Sequence, residues 1–314
     1  MSVSRRRFLE AVLVVTAVQD VRAQTPVPAS LWNGSVLDAH LHLRIDVAAD
    51  IAHMDGCGVT NAVILARDPS PEQLRAIREQ YSRRLAWAIT TDISKPEAVA
   101  VLTQGVKDGA VAFGEMKFHF AADSPEFQRL YALAGDLNVP ILVHFQEVPH
   151  FDGEGIFASG FARFETMLKK FPKTRFIGHF DAFWANVDAA YANEVAYPTG
   201  PITRTGITDR LLGDYANLFG DLSANSGNNA LSREPAFTAD FLQRHRDKLI
   251  FGSDCSCVNG KGTGVAQANN PAASRLAGKC VARETLTLLQ KSTSSAVFRK
   301  ITWGNGHRLF GLPA

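Results

Sequence analysis

Eight short apolar, β-branched runs recur along this chain, with amphipathic stretches between them. They are 35–43 (SVLDAHLHL), 60–66 (TNAVILA), 84–90 (RLAWAIT), 110–118 (AVAFGEMKF), 140–145 (PILVHF), 174–180 (TRFIGHF), 217–224 (NLFGDLSA) and 248–254 (KLIFGSD). Their starts lie about 25 to 45 residues apart, room for a loop, a helix and a return to the same sheet. The intervening segments PEQLRAIREQYSRR, KPEAVAVLTQGVKD, SPEFQRLYALAGDLN, FARFETMLKKF and AFTADFLQRHRD carry apolar residues at three-to-four spacing, the period of a helix with one buried face. Ser70-Pro71, Ser94-Lys95-Pro96 and Ser124-Pro125 read as helix openings. The closing SSAVFRKITWGNGHRLFGL reads as two short helices broken at Gly304-Asn305-Gly306. Eight such units predict an α/β fold, a closed (β/α)8 barrel. A doubly wound open sheet is the alternative.

Six potential metal ligands end these runs: His40 and His42, Glu115, His144, His179 and Asp254. The order favours the barrel over the open sheet, because a barrel gathers the C-terminal ends of all its strands at one mouth. His40 and His42 are two apart and face the same way on a strand. Glu115 and Lys117 share that spacing. An imidazole at the end of a buried run is costly unless it is hydrogen-bonded or holds a metal. Asp254 follows Gly-Ser, a turn that lets its carboxylate reach both a metal and a water.

The first 23 residues read as an export signal rather than as part of the fold. Arg5 and Arg6 form a twin-arginine pair, the apolar stretch Ala11 to Val18 follows, and Val21-Arg22-Ala23 offers a cleavage site after Ala23. The apolar stretch is too short to span a bilayer core of ~30 Å. Residues 24–314 then form a single barrel domain, and the expected location is the periplasm. Cleavage removes four arginines and two acids, which takes the formal net charge from +2 to zero. No basic stripe remains, so neither nucleic acid nor an anionic membrane surface is an expected partner. A small-molecule substrate is, and a homo-oligomer stays open.

Three connections on the mouth side are long, at about residues 145–160, 181–206 and 255–282. The second carries Phe183, Trp184, Tyr191, Tyr197 and Arg204, read either as pocket walls, with Arg204 as an anchor for an anionic substrate, or as an ordinary packed excursion. Glu147 and His150 are placed to touch substrate from the first. Asp221 and Ser223 share a strand face and either line the pocket or bond the backbone. His53, His119, His245 and His307 read as packing or solvent-facing histidines, and so does His150 in its plainer reading. Cys57, Cys255, Cys257 and Cys280 are either free thiols or, for 255/280 or 257/280, a bridged pair. Cys255-x-Cys257 lacks the partners of a zinc motif, and GKGTG (260–264) lacks the final Lys-Ser/Thr of a phosphate loop.

The set His40-x-His42, Glu115, His144, His179 and Asp254 resembles the amidohydrolase superfamily of TIM-barrel metal-dependent hydrolases. The resemblance runs from about Val36 to the closing GHRLFGL. It implies that His40, His42 and Asp254 hold a first metal, that His144 and His179 hold a second, and that Glu115 or a carbamylated Lys117 bridges. In single-metal members the strand-6 histidine polarises substrate instead. Zn²⁺ is the leading metal for these donors, with Mn²⁺ or Fe²⁺ as alternatives and one or two ions per chain. The expected enzyme uses metal-activated water to cleave a C–N or C–O bond of an amide, lactone or ester, with Asp254 carrying the proton and the metal or His179 stabilising the oxyanion. The alternatives are a single-metal decarboxylase or lyase on the same scaffold, and a metal-containing binding protein without turnover.

Overall fold

The computed structural model describes residues 30–262 and 275–313; the export signal read in residues 1–23 lies outside them. Eight parallel strands stand in chain order: β1 Leu37–His42, β2 Asn61–Arg67, β3 Leu85–Thr90, β4 Ala112–Met116, β5 Ile141–His144, β6 Phe176–His179, β7 Leu218–Asp221 and β8 Leu249–Ile250. Each matches one apolar run of the sequence. Two backbone bonds join the last segment to the first, Ala39 N–H to Phe251 O (2.9 Å) and Asp254 N–H to His40 O (2.8 Å). The result is a (β/α)8 barrel.

Helices occupy the connections: α1 Val47–Cys57, α2 Pro71–Arg75, α3 Ala98–Lys107, α4 Pro125–Asp136, α5 Glu165–Lys170, α6 Asp181–Ala185, α7 Ile207–Asp214, α8 Ala224–Ser232, α9 Pro235–Arg244, α10 Val281–Ser292, α11 Ser295–Arg299 and α12 Asn305–Leu309. Two of the three helix openings take the expected form. Ser70 and Gln73 make a reciprocal capping box ahead of α2, and the Ser124 hydroxyl accepts from Phe127 N–H ahead of α4. Ser94 does not open α3. It turns back onto the Asp92 carboxylate, and the helix starts later, at Ala98. None of the described helices is long and apolar enough to cross a membrane.

The barrel interior is filled by Leu37, Ala39, Val63, Leu65, Ala88, Ala112, Leu142, Ile177 and Ile250, together with Leu309 and Phe310 from the C-terminal end. That end corrects the sequence reading. Helical structure runs without a break from Ser295 through Gly304-Asn305-Gly306 to Leu309. Gly306 serves close approach rather than chain reversal, since a Cβ there would stand 2.9 Å from Leu37 Cδ2. Asn305 Nδ2 donates to the carbonyls of Arg246 and Leu249, tying the helix to the start of β8.

Two strands slip register, and both slips bear on the mouth. In β1 one extra residue falls between Asp38 and Leu41, which face Ala62 and Ile64 of β2. In β4 one falls between Phe113 and Met116, which face Ile141 and Val143 of β5. A bulge of this kind re-aims the side chains that follow it. Leu37 and Ala39 pack in the interior cluster, Leu41 packs in the outer one, and His40 and His42 turn inward. Glu115 sits in the second bulge and is buried, as is His40, while the His42 side chain stays half exposed.

Candidate metal centre

His42, His144, His179 and Asp221 are the last residues of their strands, and Glu115 is the last but one of its own. The structure brings all six sequence-predicted ligands together at the C-terminal mouth, in two touching groups. In the first, His40 Nε2 lies 3.3 Å from His42 Nε2, and Asp254 Oδ1 lies 3.4 Å from His42 Nε2 and 3.9 Å from His40 Nε2. In the second, Glu115 Oε1 is in short contact with His144 Nδ1 and 3.3 Å from His179 Nε2. Glu115 Oε2 turns the other way and comes 3.4 Å from His42 Nε2. One carboxylate thus offers an oxygen to each group.

The surrounding hydrogen bonds decide which nitrogen of each imidazole is free. Asp221 Oδ2 is 2.7 Å from His40 Nδ1 and 2.7 Å from the Ser223 hydroxyl. Burial raises the Asp221 pKa, but His40, His179 and Ser223 outweigh it and hold the carboxyl below its ordinary range. It is therefore an ionised, accept-only group. It takes the His40 Nδ1 proton and the Ser223 hydroxyl proton. With that hydroxyl committed, Ser223 Oγ accepts from His179 Nδ1 at 2.8 Å. His144 Nε2 donates to Gln146 Oε1 (3.0 Å), whose amide nitrogen is in turn held by Val148 O and Glu154. His179 Nε2 is thereby left facing the cluster with its lone pair, and His40 and His144 each have the outer nitrogen held by a partner, as metal-ligating histidines do.

This arrangement fits a cation. His179 Nε2 is fully buried and has no hydrogen-bond partner, despite the nearby Glu115 oxygen. The 3.3 Å between His40 and His42 nitrogens matches the edge of a tetrahedron with metal–nitrogen bonds of about 2.0–2.1 Å. Burial pulls the His40 pKa down, but Asp221, Asp254 and Glu115 raise it to about 10, so the group demands positive charge. Burial holds His144 down, at about 4, a neutral ring ready to ligate. Burial also raises Glu115, yet His144, His179 and His42 bring it well below the carboxylate range. Backbone shape supports the cluster too. At Gly252 a Cβ would come 2.3 Å from Asp221 Oδ1 and 2.8 Å from His40 Cβ, so only glycine lets this strand-end pass. Ser223→Ala is expected to release His179 from its fixed tautomer and weaken metal affinity by about 10–100-fold, measured by competitive metal titration.

Other predicted residues fall elsewhere. Lys117 stands at the mouth with its ammonium over the Phe157 ring (4.8 Å) and 4.0 Å from Glu154, and the side chain lying between the two ligand groups is that of Glu115. Trp184 is a correction: it is fully buried and donates its indole N–H to Asp221 O (2.7 Å), which holds β7 rather than walling the mouth. Phe183 is buried beside it. Arg204 is exposed and lies between α6 and α7. Tyr197 does line a recess with Asp254 and Phe180. Glu147 staples its own loop, accepting from Gly160 and Phe161 N–H, and His150 pairs with buried Asp181. His119, His245 and His307 bond Ile156 O, Asp209 and Pro313 O.

Two residues escaped the sequence reading. Gln146 lies two positions past His144, the same-face spacing that flagged other pairs, but it was hidden in a long loop. Arg67 ends β2 on the inner-facing parity of Val63 and Leu65. With His42, Leu65, Thr90, Glu115 and Lys117 it lines a cavity of about 370 Å³ that opens beside the cluster.

These features define an α/β barrel with a histidine–carboxylate cluster at the face where barrel enzymes place their active sites. The chain belongs to the amidohydrolase family, whose model matches residues 44–312. The match starts just beyond His42, so the histidine pair rests on the structure. A search of the curated proteins finds no match. Among solved structures the chain is similar to a probable 2-pyrone-4,6-dicarboxylic acid hydrolase from Acinetobacter baumannii, at 14% identity and TM-score 0.56, over 89% of this chain and 100% of that one. It is similar to an amidohydrolase from Burkholderia multivorans with bound Zn, at 14% identity and TM-score 0.55, again over 89% and 100%. It is also similar to a 2,6-dihydroxybenzoate decarboxylase from Rhizobium, at 14% identity and TM-score 0.50, over 88% and 99%. Such identities show a shared fold, and the fold hosts more than one reaction.

Proposed function

We propose that this protein is an exported, metal-dependent hydrolase that cleaves a C–N or C–O bond of a small carbonyl compound bearing a carboxylate. The observation that carries the reading is the division of Glu115 between two ligand groups whose imidazoles are held from outside by Asp221, Ser223 and Gln146. His40, His42 and Asp254 would hold one divalent cation, and His144 and His179 a second, with Glu115 between them. Zn²⁺ suits these donors best. When bound, such a cation supplies Lewis acidity toward a water and a carbonyl oxygen.

The chain's own residues do the rest. Asp254 is about a quarter exposed, at the edge of the cluster, and can take a proton from the attacking water and return it to the leaving group. Buried Asp221 and Ser223 keep the imidazoles from turning. Arg67 and Lys117 are the cations on the cavity wall, and no cluster carboxylate pairs with either. They are placed to take the carboxylate of a substrate whose carbonyl faces the cluster.

The same geometry weighs against the single-metal lyase. That reading has His179 donate a proton from Nε2, whereas the Ser223 hydroxyl 2.8 Å from Nδ1 favours the tautomer protonated on Nδ1. Arg67→Gln and Lys117→Gln are each expected to raise KM for carboxylated lactones or amides by about tenfold, the loss of one charge-assisted contact of ~1.5 kcal/mol or more, with kcat little changed. Steady-state kinetics on paired substrates with and without the carboxylate check this. Equal KM changes for both members of a pair would remove the anchor role. Release of the mature chain into a periplasmic fraction tests the export signal.

A further inference from the structure

Behind the mouth, sulfur and imidazole groups from three separate segments converge. His53 and Cys57 lie one turn apart on α1 and so share a face. Cys255 and Cys257 flank the turn after Asp254, and Cys280 precedes α10. All five are buried, each 4% exposed or less. One ligand atom from each of His53, Cys255, Cys257 and Cys280 lies within 4.8 Å of every other. Cys-x-Cys lacks partners in the sequence; the fold supplies them from positions far along the chain.

We propose that His53, Cys255, Cys257 and Cys280 form a second metal site, a structural one, that takes a thiophilic divalent ion such as Zn²⁺. Two of the six ligand spacings match the edges of a coordination tetrahedron, and all six lie within 4.8 Å. Bonds of about 2.3 Å to sulfur and 2.0–2.1 Å to nitrogen give S···S edges of about 3.8 Å and N···S edges of about 3.5–3.6 Å. The structure has 3.8 Å between Cys255 and Cys280 Sγ, and 3.5 Å between His53 Nδ1 and Cys257 Sγ. A disulfide would need ~2.05 Å, and all four cysteines are free thiols.

Without the ion, His53 Nδ1 shares its proton with the Cys257 carbonyl at 2.8 Å. Binding releases three thiol protons and moves the imidazole proton to Nε2, which faces Cys57 Sγ at 3.8 Å. The site would then carry one net negative charge. Arg44, paired with buried Asp50 (2.7 Å), also lays its guanidinium on the carbonyls of Cys255 (2.7 Å) and Cys257 (3.2 Å), fixing the backbone beside the site. Such an ion would pin the turn bearing Asp254 to α1, and so hold the mouth from behind.

The test is zinc-edge X-ray absorption on the full chain, purified reduced and loaded with zinc. The mouth cluster has only nitrogen and oxygen donors, so sulfur at about 2.3 Å reports this site alone. Expected are a sulfur shell, thiols that resist alkylation until a strong chelator is added, and loss of both sulfur shell and one ion per chain in Cys257→Ser. The wild-type measurements decide the matter even where that variant fails to fold. A metal-replete protein with a nitrogen- and oxygen-only shell would overturn the proposal. So would a chain that binds no metal, or an intact mass showing a Cys255–Cys280 disulfide.

Discussion

His40→Ala and His144→Ala are each expected to abolish turnover and release metal from the mouth. Removing His40 deletes a ligand nitrogen and strips buried Asp221 of the partner 2.7 Å away. Removing His144 does the same to Glu115, which is 8% exposed. The metal's charge stabilisation is worth several kcal/mol, so kcat/KM should fall by about 10²–10⁴-fold, a factor of ten for each 1.36 kcal/mol. Stability should fall as well, by about 3–5 kcal/mol where a buried charge loses its partner. Elemental analysis and thermal unfolding separate the two effects. The double variant should lose the mouth's metal entirely, and metal content equal to wild type would refute the ligand assignment.

Asp254→Asn is the second large expected effect. The amide keeps the size of the carboxylate and its place beside His42, but it cannot carry a proton. Loss of a positioned general acid–base costs about 10²–10⁴-fold, expected here in kcat, with KM nearly unchanged. Unchanged kcat would move the proton-carrying role to another group. The same variant separates an enzyme from a barrel that only binds, because a pure binding protein has no use for a proton carrier. A protein that only binds should keep its ligand affinity on this substitution and have no turnover for it to remove.

The barrel was legible because strand-forming runs and helix-period segments alternate eight times, and each run recurs as a strand. The ligands were legible for the same reason: a polar residue ending an apolar run stands out against its neighbours. What the sequence hid was contact between distant positions. Two-residue spacing showed that His40 and His42 share a face, but not which face, since a bulge in β1 sets that. Asp221 and Ser223 were visible as a same-face pair, yet their role as partners of His40 and His179 depends on strands brought side by side. Trp184 looked like a pocket wall because long mouth-side loops commonly supply aromatics, whereas packing placed it under β7. The glycines at 304 and 306 suggested a helix break; close contact with Leu37 accounts for Gly306, and nothing in the structure explains Gly304. The cysteines gave no readable motif, because their fourth partner, His53, lies on α1.

The central claim is that His40, His42, Glu115, His144, His179 and Asp254 hold a divalent metal at the mouth. An anomalous difference map from a crystal of the metal-loaded chain tests it most directly, because it separates the mouth from the cysteine cluster by position. The account predicts strong density between His40, His42 and Asp254, with a second peak beside His144 and His179 and Glu115 lying between the two. An empty mouth in protein soaked with zinc and with manganese would contradict it.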